Sequence, residues 1–318
     1  MKKVLLVSLF SLSIFVINAQ EVFMFSPIIV ADEDIENFEM IQKKYVTPMA
    51  QDAVKNQSIK QWALIKKVNG KDHLGNAFSQ NVVMERPLTI YLNKQEVVTS
   101  MTVGDHPEWM AVGFLVNQGM LSKNDKIISI DLDWEAEVIV VRTEKETNYE
   151  DKMQKKIRTS GCAVGTMFSD VMDLFENVKL NKNAKFHTSC LTSLLKEINT
   201  QPSLYLEAGA IHSCVLCKDN KPLIYIEDVG RHNALDKIAG WLWFNKLATE
   251  DLLLYTTGRL TSEMVIKTVQ MHIPILISRS GFTAAGVDLA RKSNLTLIGR
   301  AKGSRFIALS GLERIIYD

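Results

Sequence analysis

The chain has 318 residues, enough for one large domain or two ordinary ones, and a formal net charge of +1. So even a balance gives no support to a general polyanion-binding role, so nucleic acid is not expected as a partner and any phosphate site must be local. Four cysteines, Cys162, Cys190, Cys214 and Cys217, are too few and too scattered for a disulfide scaffold, and no repeat or low-complexity tract marks a solenoid or a disordered chain.

At the N-terminus, Lys2 and Lys3 precede an apolar run from Val4 to Ile17 and then Asn18, Ala19 and Gln20. This charged, apolar, small-residue order is the layout of a secretory signal, over residues 1–19. The run is short for a membrane span, so no membrane association is expected. An extraneous N-terminal extension is the rival reading, with Met24, Met40 and Met49 as alternative starts. Residues 1–27 are therefore set apart as a signal-like or extraneous segment.

Residues 28–145 read as a small α+β part. From Ile28 to Gln80 the pattern is loose, an irregular lead-in with some helix and short strands. Arg86–Leu92 and Glu96–Met101 alternate as strands across a turn at Asn93 and Lys94. Asp105 is placed to cap a helix that Pro107 opens, with Trp109, Val112, Gly113, Val116 and Met120 at helical spacing. Ile127–Leu132 and Glu137–Arg142 form another strand pair.

Residues 146–200 carry a polar connection, a glycine-flanked cysteine and two helical stretches, Met167–Val178 and Cys190–Asn199. Gly161 and Gly165 bracket Cys162, and Lys155, Lys156 and Arg158 lie just upstream. A positive field and exposure would make this thiol a reactive thiolate. The competing reading is a small buried cysteine in a turn.

Residues 201–318 alternate apolar strands with amphipathic helices. The strands are Ser203–Glu207, Leu223–Glu227, Leu252–Thr256, Pro274–Ser278, Leu295–Ile298 and Phe306–Leu309. The helices are His232–Asn245, Ser262–Met271 and Thr283–Lys292. This predicts an α/β fold, a layered sheet with helices on its faces, whose ligands sit where strands end and helices begin. Loops rich in glycine and polar groups fall at those points: Glu227–Asn233, Thr256–Glu263 and Ser278–Thr283. In the first, Arg231 can grip an anion and Asp228 or Asn233 can accept or donate; the second favours a phosphate at its helix start. A fourth loop, Gly299–Arg305, joins two strands and concentrates Arg300, Lys302 and Arg305 with Gly303. Each loop has a plain structural alternative as a cap or turn, but together they argue for a large phosphorylated ligand. His212, Cys214 and Cys217 raise zinc or redox chemistry, yet a strand there would turn the two thiols to opposite faces, and buried thiols are the preferred reading.

The run EDVGRHNALDK, from Glu227 to Lys237, resembles the signature of the formate dehydrogenase accessory sulfurtransferase family, FdhD. Arg86-Pro87-Leu88, Gly113-Phe114-Leu115, Ala210–Ser213, Thr257–Glu263 and Leu297–Gly299 extend the resemblance from about Arg86 to Leu309. It implies a cytidine deaminase-like α/β fold without zinc chemistry, in a cytoplasmic homodimer, with export as the alternative carried by the signal-like segment. It implies a sulfur carrier that takes a persulfide on Cys162 from a cysteine desulfurase. The sulfur would pass to a molybdenum bis-(molybdopterin guanine dinucleotide) cofactor, the substrate, before that cofactor enters formate dehydrogenase. The cofactor-binding segment implied is Arg300, Ala301, Lys302, Gly303, Ser304 and Arg305. Three positions depart from the family pattern: Gly165 stands at the second cysteine of a Cys-x-x-Cys loop, Arg300 stands at an aromatic position, and Gln118 replaces an acid before Gly119. The rival functions are a cofactor-binding chaperone without sulfur transfer and a zinc hydrolase using His212, Cys214 and Cys217.

Overall fold

A computed structural model describes residues 65–122, 124–145, 156–158, 166–168, 170–201, 203–218 and 221–318, with scattered positions between 38 and 63. Two sheets and the helices between them form its centre. The smaller sheet has four strands, β3 (Arg86–Leu92), β4 (Gln95–Thr102), β5 (Ile127–Asp133) and β6 (Val138–Thr143), in the order β4-β3-β6-β5. Along β3 every second side chain is buried, Leu88, Ile90 and Leu92, so its inner face is apolar as the alternation predicts. Ahead of it, β1 (Ile65–Lys71) and β2 (Ala77–Val83) make a separate hairpin, closed by Asp72, whose Oδ1 accepts from Leu74 N and Asn76 N.

The larger sheet has six strands: β10 (His212–Lys218), β11 (Lys221–Asp228), β12 (Leu253–Thr256), β13 (Ile275–Ser278), β14 (Thr296–Lys302) and β15 (Arg305–Ser310). Their order is β11-β10-β12-β13-β14-β15, parallel only from β12 to β14. Both central parallel strands are buried throughout, which explains why Leu253–Thr256 and Ile275–Ser278 lack a polar face. One face of this sheet (Cys214, Leu216, Leu254, Leu276, Leu297) joins the main core, with α5 (Arg231–Asn245) and α6 (Ser262–Gln270). The other face (Val215, Cys217, Tyr255, Ile277, Ile298) packs on α3 (Ser189–Thr200) through Leu191, Leu194 and Ile198.

The two sheets are joined through α1 (Pro107–Asn117), which crosses α5 at backbone contact. A Cβ on Gly113 would lie 1.7 Å from the Asp236 carbonyl oxygen, and one on Gly240 would lie 1.9 Å from that of Trp109. Only glycine fits at both positions, and the main core is thereby continuous from Leu88 to Leu297. Among the described residues no helix is long and apolar enough to cross a membrane.

Three local expectations need correction. Ser203–Glu207 is not a strand but the start of a short helix, α4 (Leu204–Ala208). Its Ser203 hydroxyl accepts from Leu206 N, and Glu227 accepts from Leu204 N and Tyr205 N, so a distant carboxylate completes the cap. Met167 belongs to a short strand, β8 (Thr166–Phe168), paired with β7 (Lys156–Arg158); the helix, α2, runs only over Asp170–Asn177. Asp105 does not cap α1: the N-cap is His106 in the left-handed region, φ 46, and Asp105 instead turns into the core to meet Lys237. The last helix, α7, covers Ala284–Ser293.

Candidate functional site at the loop edge of the large sheet

All four polar loops emerge at one edge of the six-stranded sheet. Parallel pairing sets Thr256 beside Ser278, and antiparallel pairing sets Cys214 beside Thr256 and His212 beside Asp228. The loops are also bonded to one another. Ser278 Oγ donates to Gly258 O at 2.6 Å, Leu260 N to Gly281 O at 2.9 Å, and Arg300 N to Ser280 O at 2.8 Å. This edge is the strand-end crevice where α/β sheets bind ligands.

The first loop is fixed from within. Asp228 is fully buried; its Oδ1 accepts from Gly230 N at 3.0 Å and Asn233 Nδ2 at 2.9 Å, and its Oδ2 from Thr102 Oγ1 at 2.6 Å and Lys237 Nζ at 2.5 Å. Asp228 and Asn233 therefore hold the loop rather than face a ligand. Lys237 is also fully buried and bridges Asp228 to Asp105. Burial opposes its charge, but the two carboxylates outweigh that and hold its pKa above the ordinary lysine range. There is a second buried ion group: Lys267 Nζ meets Asp236 at 2.9 Å and Glu263 at 3.3 Å, and Asn117 donates to Asp236 at 2.7 Å. The start of α6, expected to favour a phosphate, thus has Glu263 in its first turn, committed to Lys267.

Above these ion pairs lies a cationic cluster. Arg231 is only 4% exposed and lies across the second loop, where a Cβ on Gly258 would come 2.8 Å from its Cδ. His212 sits half-buried at the start of β10 with Nδ1 3.4 Å from Thr257 Oγ1. Burial, then Arg231 and Arg259, lower its pKa, only partly offset by Asp228. His232, 3.5 Å from Glu263, is pushed down to about 2 by burial and then by Lys267, Arg231, His212 and Arg259. Both imidazoles are therefore neutral near pH 7, leaving the arginines as the fixed charges. Tyr205, His212, Thr257 and Arg279 line a cavity of about 400 Å3 here, with the Arg279 guanidinium 5.5 Å from the centre of the Tyr205 ring.

The predicted cofactor segment lies on the same edge, one strand further along. β14 and β15 meet in a two-residue turn at Gly303 and Ser304, with Gly303 at φ 60. A bulge between Gly299 and Lys302 puts Arg300 at φ 53 and turns it out. Arg300, Lys302, Gly303, Ser304 and Arg305 are exposed, whereas the Ala301 side chain is in the core. A second hollow of about 850 Å3 joins these cations to Phe306, Ile307 and Tyr317, whose two rings stack 6.5 Å apart.

Cys162 lies outside the described residues, in the sequence between β7 and β8. Cys214 and Cys217 are both fully buried and face different cores across β10, so they cannot share one metal ion. Burial pushes both thiols up to about 12, which leaves them unreactive. Tyr205 lies in a stretch whose sequence reads as a strand; Ser203 ahead of it and Gly209 behind it are the helix-end signals.

Fold and site together define a layered α/β protein with cationic loops gathered at one edge of its large sheet. The profile of the FdhD/NarQ family matches residues 83–316, and the chain belongs to that family. It is 33% identical over 243 residues to the sulfur carrier protein FdhD of Listeria innocua serovar 6a, covering 74% of this chain and 91% of that one. It is 30% identical over 232 residues to the protein of the same name from Wolinella succinogenes, covering 70% of this chain and 78% of that one. The crystal structure of a putative formate dehydrogenase accessory protein from Desulfotalea psychrophila is similar, with a TM-score of 0.65 and 26% identity, covering 80% of this chain and 100% of that one.

Proposed function

We propose that the protein is a sulfur carrier that serves formate dehydrogenase in the cytoplasm, taking sulfur on Cys162 and delivering it to a molybdenum bis-(molybdopterin guanine dinucleotide) cofactor. The observation that carries this reading is the convergence of the basic loops on one sheet edge, beside the kinship to proteins named as sulfur carriers. A phosphorylated cofactor needs cations with fork geometry and an aromatic surface for its base. Arg300, Lys302 and Arg305 beside Phe306 and Tyr317 supply both.

The chemistry asked of Cys162 is thiol exchange. Its thiolate attacks the outer sulfur of a persulfide on the cysteine desulfurase; that S–S bond breaks, the donor leaves as a thiolate, and Cys162 carries the sulfur as its own persulfide. Release of that sulfur as sulfide takes a further thiol, which becomes disulfide-bonded to Cys162 and supplies the two electrons. With Gly165 at the second loop position, that thiol comes from elsewhere, and a small-molecule thiol is sufficient. Lys155, Lys156 and Arg158 nearby in sequence favour the thiolate.

The test is maturation of formate dehydrogenase in cells that lack their own carrier. Cys162→Ala abolishes formate dehydrogenase activity at unchanged carrier level. Activity retained in Cys162→Ala but lost on neutralising Arg300, Lys302 and Arg305 would replace sulfur transfer by cofactor chaperoning.

A further inference from the structure

The hairpin of β1 and β2 carries a surface that the rest of the fold does not use. Except for Val83, it lies ahead of residues 83–316, the part that the family profile matches. One of its faces is accounted for, since Ile65 and Val83 pack against Val103, Leu204 and Ile211. The opposite face is open. Val68 and Phe78 stand on it, 44% and 52% exposed, with Val68 paired to Gln80 and Gly70 to Phe78. Among the described residues β1 pairs with β2 alone, so its outer row of N–H and C=O groups meets no strand. The outer edge of β2 is the anchored one, where Asn81 Nδ2 donates to Glu207 of α4 at 2.5 Å. Residues 66–71 of β1 are all exposed. A two-stranded ribbon is marginal in water, and a third strand is what it lacks.

Charge names the strand that fits. Lys66, Lys67 and Lys71 all lie on β1, and none of them forms an ion pair among the described residues. Asp72, the hairpin's one carboxylate, is spent on the turn, where it accepts from Leu74 N, Asn76 N and Asn76 Nδ2. Upstream, outside the described residues, the sequence Ile28-Ile29-Val30-Ala31-Asp32-Glu33-Asp34-Ile35-Glu36 sets a β-branched run ahead of four acids and contains no base. We propose that residues 28–36 dock along the free edge of β1 as an antiparallel third strand. A register with Glu33 opposite Lys66 also sets Asp32 opposite Lys67 and Ala31 opposite Val68, and lets Ile29 reach Phe78 across Gly70. Residues 37–64 join the two strands and span about 90 Å when extended, so reach sets no limit. The segment follows the signal-like residues 1–19 and stays with the chain if those are removed. The docking does not depend on sulfur transfer.

Two measurements on the full-length protein test it. Zero-length cross-linking with a carbodiimide at low protein concentration, followed by peptide mapping of the monomer, is expected to join Lys66 or Lys67 to Asp32 or Glu33 within one chain. Hydrogen exchange reads the pairing itself, through the alternate β1 amides that do not face β2. In the parent these exchange about three- to tenfold more slowly than in the Asp32→Asn/Glu33→Gln/Asp34→Asn/Glu36→Gln variant, the worth of two opposed charge pairs across strands. Lys66→Gln/Lys67→Gln has the same effect, while the amides of β12 and β13 exchange as in the parent. Absence of the intrachain link, or equal exchange in parent and variants, overturns the inference and leaves β1 a solvated edge guarded by its lysines. Links found only in covalent dimers overturn it too, in favour of a second copy as the occupant.

Discussion

Replacing Lys237 by methionine probes the device that fixes the site. The ammonium is fully buried between Asp105 and Asp228, which are themselves buried. Methionine fills the stem volume but leaves two carboxylates facing each other without a counter-charge. Removing one partner of a buried ion group costs about 3–5 kcal/mol. At ~2–3 °C per kcal/mol for a chain of this size, the melting temperature falls by about 6–15 °C. The pH dependence identifies the cause. Two adjacent buried carboxylates cannot both ionise, so in the variant one of them keeps a proton above the unfolded aspartate pKa of about 3.9. The variant's native state then binds more protons than its unfolded state, and its stability falls as pH rises. The deficit against the parent is therefore largest near about pH 8 and shrinks toward about pH 5. Chemical denaturation at a series of pH values measures it. A deficit under about 1 kcal/mol, or one that is the same at every pH, refutes the account of Lys237 as the counter-ion of both acids.

Other consequences follow from the same packing. His232 has its pKa pushed down to about 2 by burial and its cationic neighbours. The unfolded state takes up a proton below about pH 6.5 that the native state refuses, so the parent loses roughly 1.4 kcal/mol per pH unit there; His232→Gln removes that slope, seen as a shallower stability–pH curve. Gly113→Ala forces α1 and α5 apart, because the added carbon would stand 1.7 Å from Asp236 O. The expected loss is about 1–3 kcal/mol or more, read by thermal unfolding, and Gly240→Ala behaves alike.

Sequence patterns marked the elements well where the fold is regular. The buried strands Leu253–Thr256 and Ile275–Ser278 and the helices after them were legible from continuous apolar runs followed by amphipathic spacing. Long-range partners account for part of the mismatch. Asp105 sits at a helix start, but the group that decides its role, Lys237, is far away in sequence, as is Glu227, which completes the cap of the helix after Ser203. A local window sees a capping residue and misses a partner 132 residues distant. The same limit hid the division of labour within the Glu227–Lys237 run. The run was legible as a functional signature, yet in the fold Asp228, Asn233 and Lys237 hold the loop while Arg231, itself buried, supplies charge beside His212. The cationic loops were visible one at a time; only the sheet register brings them to one edge.

The central claim is that Cys162 carries sulfur. Incubating the full-length protein with a cysteine desulfurase and cysteine, then measuring the intact mass and mapping the adduct, tests it directly. The expected result is a gain of one sulfur atom on the Cys162 peptide, removed by a thiol reductant and absent in Cys162→Ala. An unmodified Cys162 under conditions where the desulfurase itself is persulfidated, or an adduct on Cys190 alone, would contradict it.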